Sequence, residues 1–276
     1  MEPTRLLKYK SNSFSQNGED GVIAAIFRLI GVTTRRCCEF GAFDGVHLSN
    51  CRRLILDGWS ALMIEGDAER FAQLRRTYQD NPRVTSVQAW VDVDRNTLDA
   101  IARSTGFDDL DFLSIDVDGL DYEIFENLGL TPRVVCVEVN AGHDPEAERP
   151  VAKDVARENV GQPLKVFMRA ADRQGYDLVC YTGNAFFVRR DAMAGSGLSA
   201  VTSSEAYQEF LGALSRRERE WLYLVNLGLV TPYVTFSNDL LSAEALGLGS
   251  RAAFLRVRAG ARRRLHSLRQ AVRGTK

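Results

Sequence analysis

The feature that most constrains the fold of this chain is an apolar segment that ends in an acid and continues directly into glycines. That segment covers residues 36–45, with Glu39 at the strand end. A second apolar segment, residues 61–64, is followed by Glu65-Gly66-Asp67. Glycine allows the backbone to approach a ligand closely, because it has no Cβ. An acid after the second strand of a doubly wound sheet can accept the hydroxyls of a ribose. The two segments together predict a site for an adenosine-bearing ligand.

Strand-like and helix-like segments alternate along most of the chain. We predict strands near residues 37–40, 62–65, 84–91, 112–116, 134–139, 176–181 and 185–188, and helices near 22–30, 50–57, 68–77, 97–103, 122–127 and 163–174. Continuous apolar strands separated by helices indicate a mainly parallel sheet that is covered on both faces. The short connection Thr182-Gly183-Asn184 predicts that the last two strands form an antiparallel hairpin. We therefore expect an α/β fold with a doubly wound, Rossmann-like sheet of seven strands.

The sequence pattern changes after Arg190. The segment 194–197 (Ala-Gly-Ser-Gly) is typical of a linker, and the rest of the chain has helical character. Residues 251–276 are rich in arginine and contain no Asp or Glu, which favours a solvated helix face. The alternative is a surface that contacts anionic lipid or a partner. We predict a ligand-binding domain over 1–190, with an N-terminal flap, and a C-terminal helical cap or tail over 191–276.

The composition is that of an ordinary soluble globular protein, with 45% hydrophobic and 26% charged residues in a chain of 276. A net charge of −1 argues against a dedicated nucleic-acid binder. No apolar run of about eighteen residues is present, so we expect no transmembrane segment. The five cysteines show no C-x-x-C spacing and suit free thiols in a reducing compartment. We therefore expect a cytoplasmic protein.

The first glycine-rich loop is the predicted site for one end of the ligand. Its candidate residues are Glu39, Gly41, Asp44 and Gly45. The spacing E-x-G-x-x-x-G with a later acid favours S-adenosylmethionine, because the dinucleotide fingerprint G-x-G-x-x-G is absent. The backbone would turn under the methionine half of the cofactor, and Asp44 or Glu39 would meet its ammonium group. The alternative is a tight strand-to-helix turn in a protein that binds another ligand.

Further cofactor contacts are predicted at the next two strand ends and in the flap. Glu65 and Gly66 would hold the ribose, and Asp92 and its neighbours would border the adenine. Trp90 is equally compatible with the core and with a stacking surface. The polar segment around Gln16, before an apolar helix, suits a flap over the cofactor, although such clusters also form simple turns.

Oxygen-bearing side chains follow two neighbouring strands of the predicted sheet. Asp116 ends the fourth strand, Asp118 and Asp121 follow it closely, and Glu138 and Asn140 end the next strand. Carboxylates and amide oxygens without paired Cys or His are the ligands that Mg²⁺ prefers. We predict Asp116, Glu138 and Asn140 as ligands of a Mg²⁺ that orients substrate oxygens, with Asp116 also near the cofactor. The alternative is that these groups bind substrate hydroxyls or cap helices without a metal.

His143 is the predicted general base, because it follows the strand that ends in Glu138 and borders the site. A neutral imidazole can take the proton of a hydroxyl as the methyl group transfers. Asp118 is the second predicted catalytic residue. His47, in the first cofactor loop, is the rival base, and a loop histidine that only binds substrate is the alternative.

Four ordered motifs in this chain resemble those of the FkbM-type S-adenosylmethionine-dependent methyltransferases. They are Ser15-Gln16-x-Gly18-Glu19-Asp20, residues 39–45, Ile64-Glu65-Gly66-Asp67 and residues 114–119. The resemblance covers roughly residues 12–190 and implies the class I methyltransferase sheet. It also implies O-methylation of sugars in polysaccharides, including methylated mannosides, in glycolipids and in natural products. The chain departs from the family at Asp118, where glutamate is common.

The resulting hypothesis is an O-methyltransferase that acts on a carbohydrate hydroxyl with the aid of Mg²⁺. The expected partner is a sugar or oligosaccharide acceptor and not a nucleic acid. A homodimer formed through the tail is also compatible with the sequence. Two alternatives remain at this stage: a methyltransferase for a small phenol or amine, and a non-catalytic module that binds an adenosine ligand. A dinucleotide oxidoreductase is disfavoured by the glycine spacing.

Overall fold

The computed structural model describes residues 5–117, 119–151, 161–216 and 219. The chain divides into two compact units, Met1–Ala213 and Leu214–Lys276. Asp118 and the whole basic segment 251–276 lie outside the described residues.

Seven strands form one sheet within the first unit. They are β1 (Arg36–Phe40), β2 (Ser60–Glu65), β3 (Val84–Gln88), β4 (Phe112–Ile115), β5 (Val134–Glu138), β6 (Tyr176–Tyr181) and β7 (Asn184–Arg189). The order across the sheet is β3-β2-β1-β4-β5-β7-β6. The first five strands are parallel, and β7 runs antiparallel to both β5 and β6. The predicted doubly wound α/β sheet with a final antiparallel hairpin is therefore confirmed.

Eight α-helices are described in this unit. They are α1 (Glu19–Ile30), α2 (Arg52–Leu56), α3 (Ala68–Tyr78), α4 (Leu98–Ser104), α5 (Asp121–Glu126), α6 (Leu164–Arg173), α7 (Arg190–Met193) and α8 (Ser203–Ala213). Helices α3 and α4 begin at side-chain caps of the usual kind. The Asp67 carboxylate accepts the N–H groups of Glu69 and Arg70, and the Thr97 hydroxyl accepts that of Ala100. None of the described helices has the length and apolar character needed to cross a lipid bilayer.

The core lies on both faces of the sheet, as expected for parallel strands. On one face, the ring of Phe27 in α1 packs edge-on to Trp59, with 5.0 Å between the ring centroids. On the other face, Phe125 of α5 stacks on Phe187 of β7 at 5.2 Å. β4 is buried along its whole length, which explains why three of its four residues are apolar. The helices therefore fix the sheet from both sides and leave its carboxyl edge to the loops.

The first unit continues past residue 190, the predicted end of the ligand-binding domain. Helix α8 packs on β6, where Phe210 lies edge-on to Tyr181 with 5.0 Å between the ring centroids. The hydroxyl of Tyr207, also in α8, donates a hydrogen bond to the Ala141 carbonyl at 2.9 Å. This helix thus covers the loop that follows β5.

Two buried acids anchor the segment that precedes α1. One oxygen of Asp20 accepts the N–H groups of Ser13, Phe14 and Ser15 at 2.8, 2.8 and 2.9 Å. The Glu19 carboxylate accepts hydrogen bonds from the Asn17 N–H and the Thr182 hydroxyl. Burial raises the pKa of Glu19 despite these bonds. The polar motif seen in the sequence therefore fixes the flap to the domain through its last two residues.

Candidate active site

The ends of β1, β2 and β4 meet at the carboxyl edge of the sheet, where Gly41 forms the turn. The N–H groups of Gly41 and Ala42 donate to the Ile64 carbonyl at 3.1 and 3.0 Å. Gly41 has a φ of +78°, and a Cβ built on it would lie 1.9 Å from the carbonyl oxygen of Asp116. Only glycine fits here, because the turn needs both the left-handed conformation and the close backbone approach.

Replacement of Gly41 by alanine is expected to destabilise the protein more than the same change at Gly58. Gly58 has a φ of +89° but no atom within 4 Å of a built Cβ, so Gly58→Ala should cost only about 1–2 kcal/mol of left-handed strain. Gly41→Ala adds overpacking against Asp116, which costs roughly a further 1–3 kcal/mol. Denaturant unfolding of both variants measures the difference. Equal losses of unfolding free energy would contradict the tight contact with Asp116.

The carboxylate of Glu65 is held at the end of β2 by two backbone groups. Its Oε2 accepts the Phe43 N–H and its Oε1 accepts the Asp67 N–H, both at 2.8 Å. The residue is only 5% exposed. Each carboxylate oxygen has two acceptor positions, so each keeps one for a further donor. The arrangement is suited to a pair of adjacent hydroxyl groups.

Trp90 lies beside Glu65, over the backbone of Gly66. A Cβ on Gly66 would lie 2.4 Å from the indole ring, so the ring rests directly on this glycine. The indole is 74% exposed and does not belong to the core. The carboxylate of Asp92 is used by its own turn, where it accepts the N–H groups of residues 94–96. These hydrogen bonds lower the pKa of Asp92. Trp90 therefore offers an open aromatic surface in this loop.

Glu39 is buried beneath the loop that leads to α2. Its carboxylate accepts hydrogen bonds from the Ser49 hydroxyl at 2.5 Å and from the Asn50 N–H at 2.6 Å. Burial raises the pKa of Glu39 to about 7, although these bonds oppose the rise. Both carboxylate oxygens thus already serve the loop, and Glu39 is 4% exposed.

Asp44 and His47 form a hydrogen-bonded pair on the exposed side of the same loop. The Asp44 carboxylate lies 2.5 Å from Nδ1 of His47, and the His47 side chain is 74% exposed. Burial acts to raise the pKa of Asp44, but hydrogen bonds from His47 and Val46 outweigh it, so the pKa is lowered. The Tyr78 hydroxyl donates to the Gly45 carbonyl at 2.6 Å and fastens this loop to α3.

Three carboxylates come together next to the Gly41 turn. Asp116, Asp121 and Glu138 each place one carboxylate oxygen within 4.8 Å of the other two. Asp121 also accepts the N–H groups of Val117 and Gly119, which fixes the loop after β4. Of the predicted metal ligands, Asp116 and Glu138 are thus brought together. The set of metal ligands predicted from the sequence omitted Asp121. The feature that indicates this residue is an acid shortly after β4, at the start of α5.

The other predicted residues lie in the neighbouring loops. The Asn140 amide oxygen accepts the Gly142 N–H at 2.8 Å, so it closes its own turn. The His143 N–H donates to the Asn140 carbonyl at 3.2 Å, which places this histidine in the loop after β5. Gln16 is half-buried in the flap, and its carbonyl accepts a hydrogen bond from the Asn12 side chain at 2.8 Å. The structure does not describe Asp118.

A family model matches the central part of this chain. The model of the methyltransferase FkbM domain matches residues 45–178, which include β2 to β5 and the three clustered carboxylates. No curated protein matches the sequence.

Several solved structures are similar to this chain at low identity. The N-terminal domain of EvdMO1, solved with S-adenosylhomocysteine and D-fucose, is 14% identical over 66% of this chain and 90% of its own, with a TM-score of 0.39. The glycopeptide N-methyltransferase MtfA with S-adenosylhomocysteine is 17% identical over 68% of this chain and 99% of its own, with a TM-score of 0.38. A TehB-like S-adenosylmethionine-dependent methyltransferase from Corynebacterium glutamicum is 12% identical over 65% and 90%, with a TM-score of 0.37. The family match covers residues 45–178, so this central part of the chain is similar to the methyltransferase FkbM domain.

Proposed function

We propose that this protein transfers the methyl group of S-adenosylmethionine to a carbohydrate hydroxyl. The observation that carries the proposal is the position of the three clustered carboxylates. Asp116 touches Gly41 through its backbone and joins Asp121 and Glu138 through its side chain. Carboxylate oxygens that can accept hydrogen bonds from sugar hydroxyls therefore lie beside the loop that is proposed to hold the cofactor.

Glu65 and the Gly41 turn are the proposed cofactor contacts. Glu65 would accept the two ribose hydroxyls with the acceptor positions that Phe43 and Asp67 leave open. Trp90 and Gly66 would border the adenine, since the exposed indole offers an aromatic face. The loop from Glu39 to Gly45 would pass beneath the methionine half.

Transfer needs alignment and removal of one proton. The acceptor oxygen forms a bond to the methyl carbon while the bond from that carbon to sulfur breaks, which leaves S-adenosylhomocysteine. The sulfonium is already activated, so the protein mainly aligns the two atoms in line. The hydroxyl proton would pass to the imidazole of His143, with Asp118 as the second catalytic residue.

The acid cluster fits a magnesium ion by the chemistry of its donors. Three carboxylate oxygens within 4.8 Å of one another are hard ligands of the kind that Mg²⁺ takes. Asp116, Asp121 and Glu138 would hold the ion, with Asn140 as a further candidate. When bound, Mg²⁺ would orient acceptor oxygens and lower the pKa of the hydroxyl to be methylated.

An acceptor screen tests this function. We expect label from methyl-labelled S-adenosylmethionine to enter glycosides or oligosaccharides, and not phenols or amines of similar size. Treatment with EDTA should abolish the transfer and added Mg²⁺ should restore it. Glu138→Gln should lose this response, whereas Glu148→Gln should keep it, because Glu148 is exposed and pairs with Arg169 outside the cluster.

Each other outcome of the screen has a definite meaning. Transfer to phenols or amines alone would show that the acceptor is such a small molecule and not a carbohydrate. Full transfer in the presence of EDTA would exclude a role for a metal ion. The three carboxylates would then bind the sugar hydroxyls directly. Binding of S-adenosylhomocysteine without transfer to any acceptor class would favour a non-catalytic module.

A further inference from the structure

Arg52 places a cation between the flap and the first cofactor loop. It is the first residue of α2, and its N–H donates to the Ser49 hydroxyl that also bonds Glu39. The guanidinium carbon lies 5.8 Å from the ring centroid of Phe14 and 5.2 Å from that of Tyr78. One ring belongs to the flap and the other to α3, so the charge is enclosed from two sides.

The charge of Arg52 is not neutralised by an acid of the described chain. Over the described residues, no carboxylate oxygen lies within 4.0 Å of its guanidinium, and its Nε is buried without a hydrogen-bond partner. The half-buried Arg133 shows the contrast, since it pairs with Asp111 at 3.0 Å and donates to two backbone carbonyls. Arg52 is itself half-buried, and a cation that loses part of its water without gaining an anion is disfavoured, which aromatic faces offset only in part.

The surroundings of Arg52 connect it to the proposed cofactor site. The Tyr78 hydroxyl, beside the guanidinium, donates to the Gly45 carbonyl of the first cofactor loop. Burial raises the pKa of Tyr78 to about 12, although a side-chain hydrogen bond with Arg52 and the charge of Arg52 oppose the rise, so the hydroxyl remains a donor. Phe14, on the other side, is held by the buried Asp20. Arg52 is therefore bounded by the loop that would pass under the methionine half.

We propose that Arg52 binds the carboxylate of the methionine part of S-adenosylmethionine. The assignment rests on the proposed function of this site. That carboxylate is the one anionic group of the cofactor, and a planar guanidinium can hold it with two parallel hydrogen bonds. Binding would supply the anion that the described chain does not, and contact between Arg52 and Phe14 would order the flap over the cofactor.

A pair of ligands that differ only in the carboxylate tests the assignment. Calorimetry would compare S-adenosylhomocysteine with its decarboxylated analogue on wild type, Arg52→Ala and Arg53→Ala. Arg53 is the matched control, because it is exposed and pairs with Asp57 at 3.1 Å. We expect Arg52→Ala to bind S-adenosylhomocysteine roughly 10- to 100-fold more weakly, as for a charged hydrogen bond. Wild type should bind the decarboxylated analogue more weakly than S-adenosylhomocysteine by a similar factor. Arg52→Ala should bind the two ligands with about equal affinity.

Three results would overturn the assignment. Unchanged binding of S-adenosylhomocysteine by Arg52→Ala would exclude the contact, and equal weakening of both ligands would give Arg52 a structural role. Absence of binding by wild type would overturn the proposed function and this assignment with it. If Arg52→Ala fails to fold, Arg52→Lys provides the same comparison, because it keeps the charge without the planar fork and should lose affinity only for the carboxylate ligand.

Discussion

Replacing Glu65 with alanine is expected to lower the affinity for S-adenosylhomocysteine by at least about 100-fold. The carboxylate would lose two hydrogen bonds to ribose hydroxyls, and hydrogen bonds to charged groups contribute about 1.5–3 kcal/mol each. It would also release the N–H groups of Phe43 and Asp67, whose hydrogen bonds to Glu65 fix the loops on both sides of the proposed ribose site. Calorimetric titration of the purified variant measures this loss directly.

Glu69→Ala is the control for this substitution. Glu69 is an exposed acid in the first turn of α3, four residues beyond Glu65, so its removal should leave ligand affinity unchanged. Thermal unfolding of both variants separates loss of binding from loss of fold. A folded Glu65→Ala that binds as tightly as wild type would exclude Glu65 from the cofactor site.

Replacement of His143 by alanine is expected to lower kcat by roughly 10²- to 10⁴-fold, the usual contribution of a general base. The affinity for S-adenosylhomocysteine should stay close to the wild-type value, because the imidazole is proposed to act on the acceptor and not on the cofactor. Single-turnover transfer to the acceptor found in the screen, together with calorimetry, separates these two effects.

His47→Ala provides the comparison that the sequence alone left open. His47 is held by Asp44 at 2.5 Å on an exposed loop, an arrangement that also orients a base. We expect His47→Ala to retain most of the transfer rate. Loss of the rate in His47→Ala, with full activity in His143→Ala, would assign the base to the Asp44–His47 pair.

The strands and their mainly parallel arrangement follow largely from the sequence, because a parallel sheet covered on both faces needs continuous apolar segments. β4 and β5 were predicted to within one residue of their observed ends. The predicted third strand was longer than β3, which ends at Gln88. The chain beyond Gln88 forms a turn instead of a strand. This turn is stabilised by the Asp92 carboxylate, which accepts hydrogen bonds from three backbone N–H groups.

The roles of individual acids were harder to predict, because an acidic residue in a motif can serve either a ligand or its own backbone. Glu39 and Asp20 both lie in motifs that were interpreted as cofactor contacts or flap, yet their carboxylates hold neighbouring loops. Asp121 serves its own loop and also joins the cluster with Asp116 and Glu138. Sequence spacing identifies which strand ends meet, whereas it does not give the direction of each side chain.

Titration of wild-type protein with S-adenosylhomocysteine is the most direct test of the central claim. We expect binding of micromolar strength, because the Glu65 carboxylate keeps two acceptor positions open at the end of β2. Absence of binding, in the presence and in the absence of Mg²⁺, would contradict S-adenosylmethionine as the cofactor of this site.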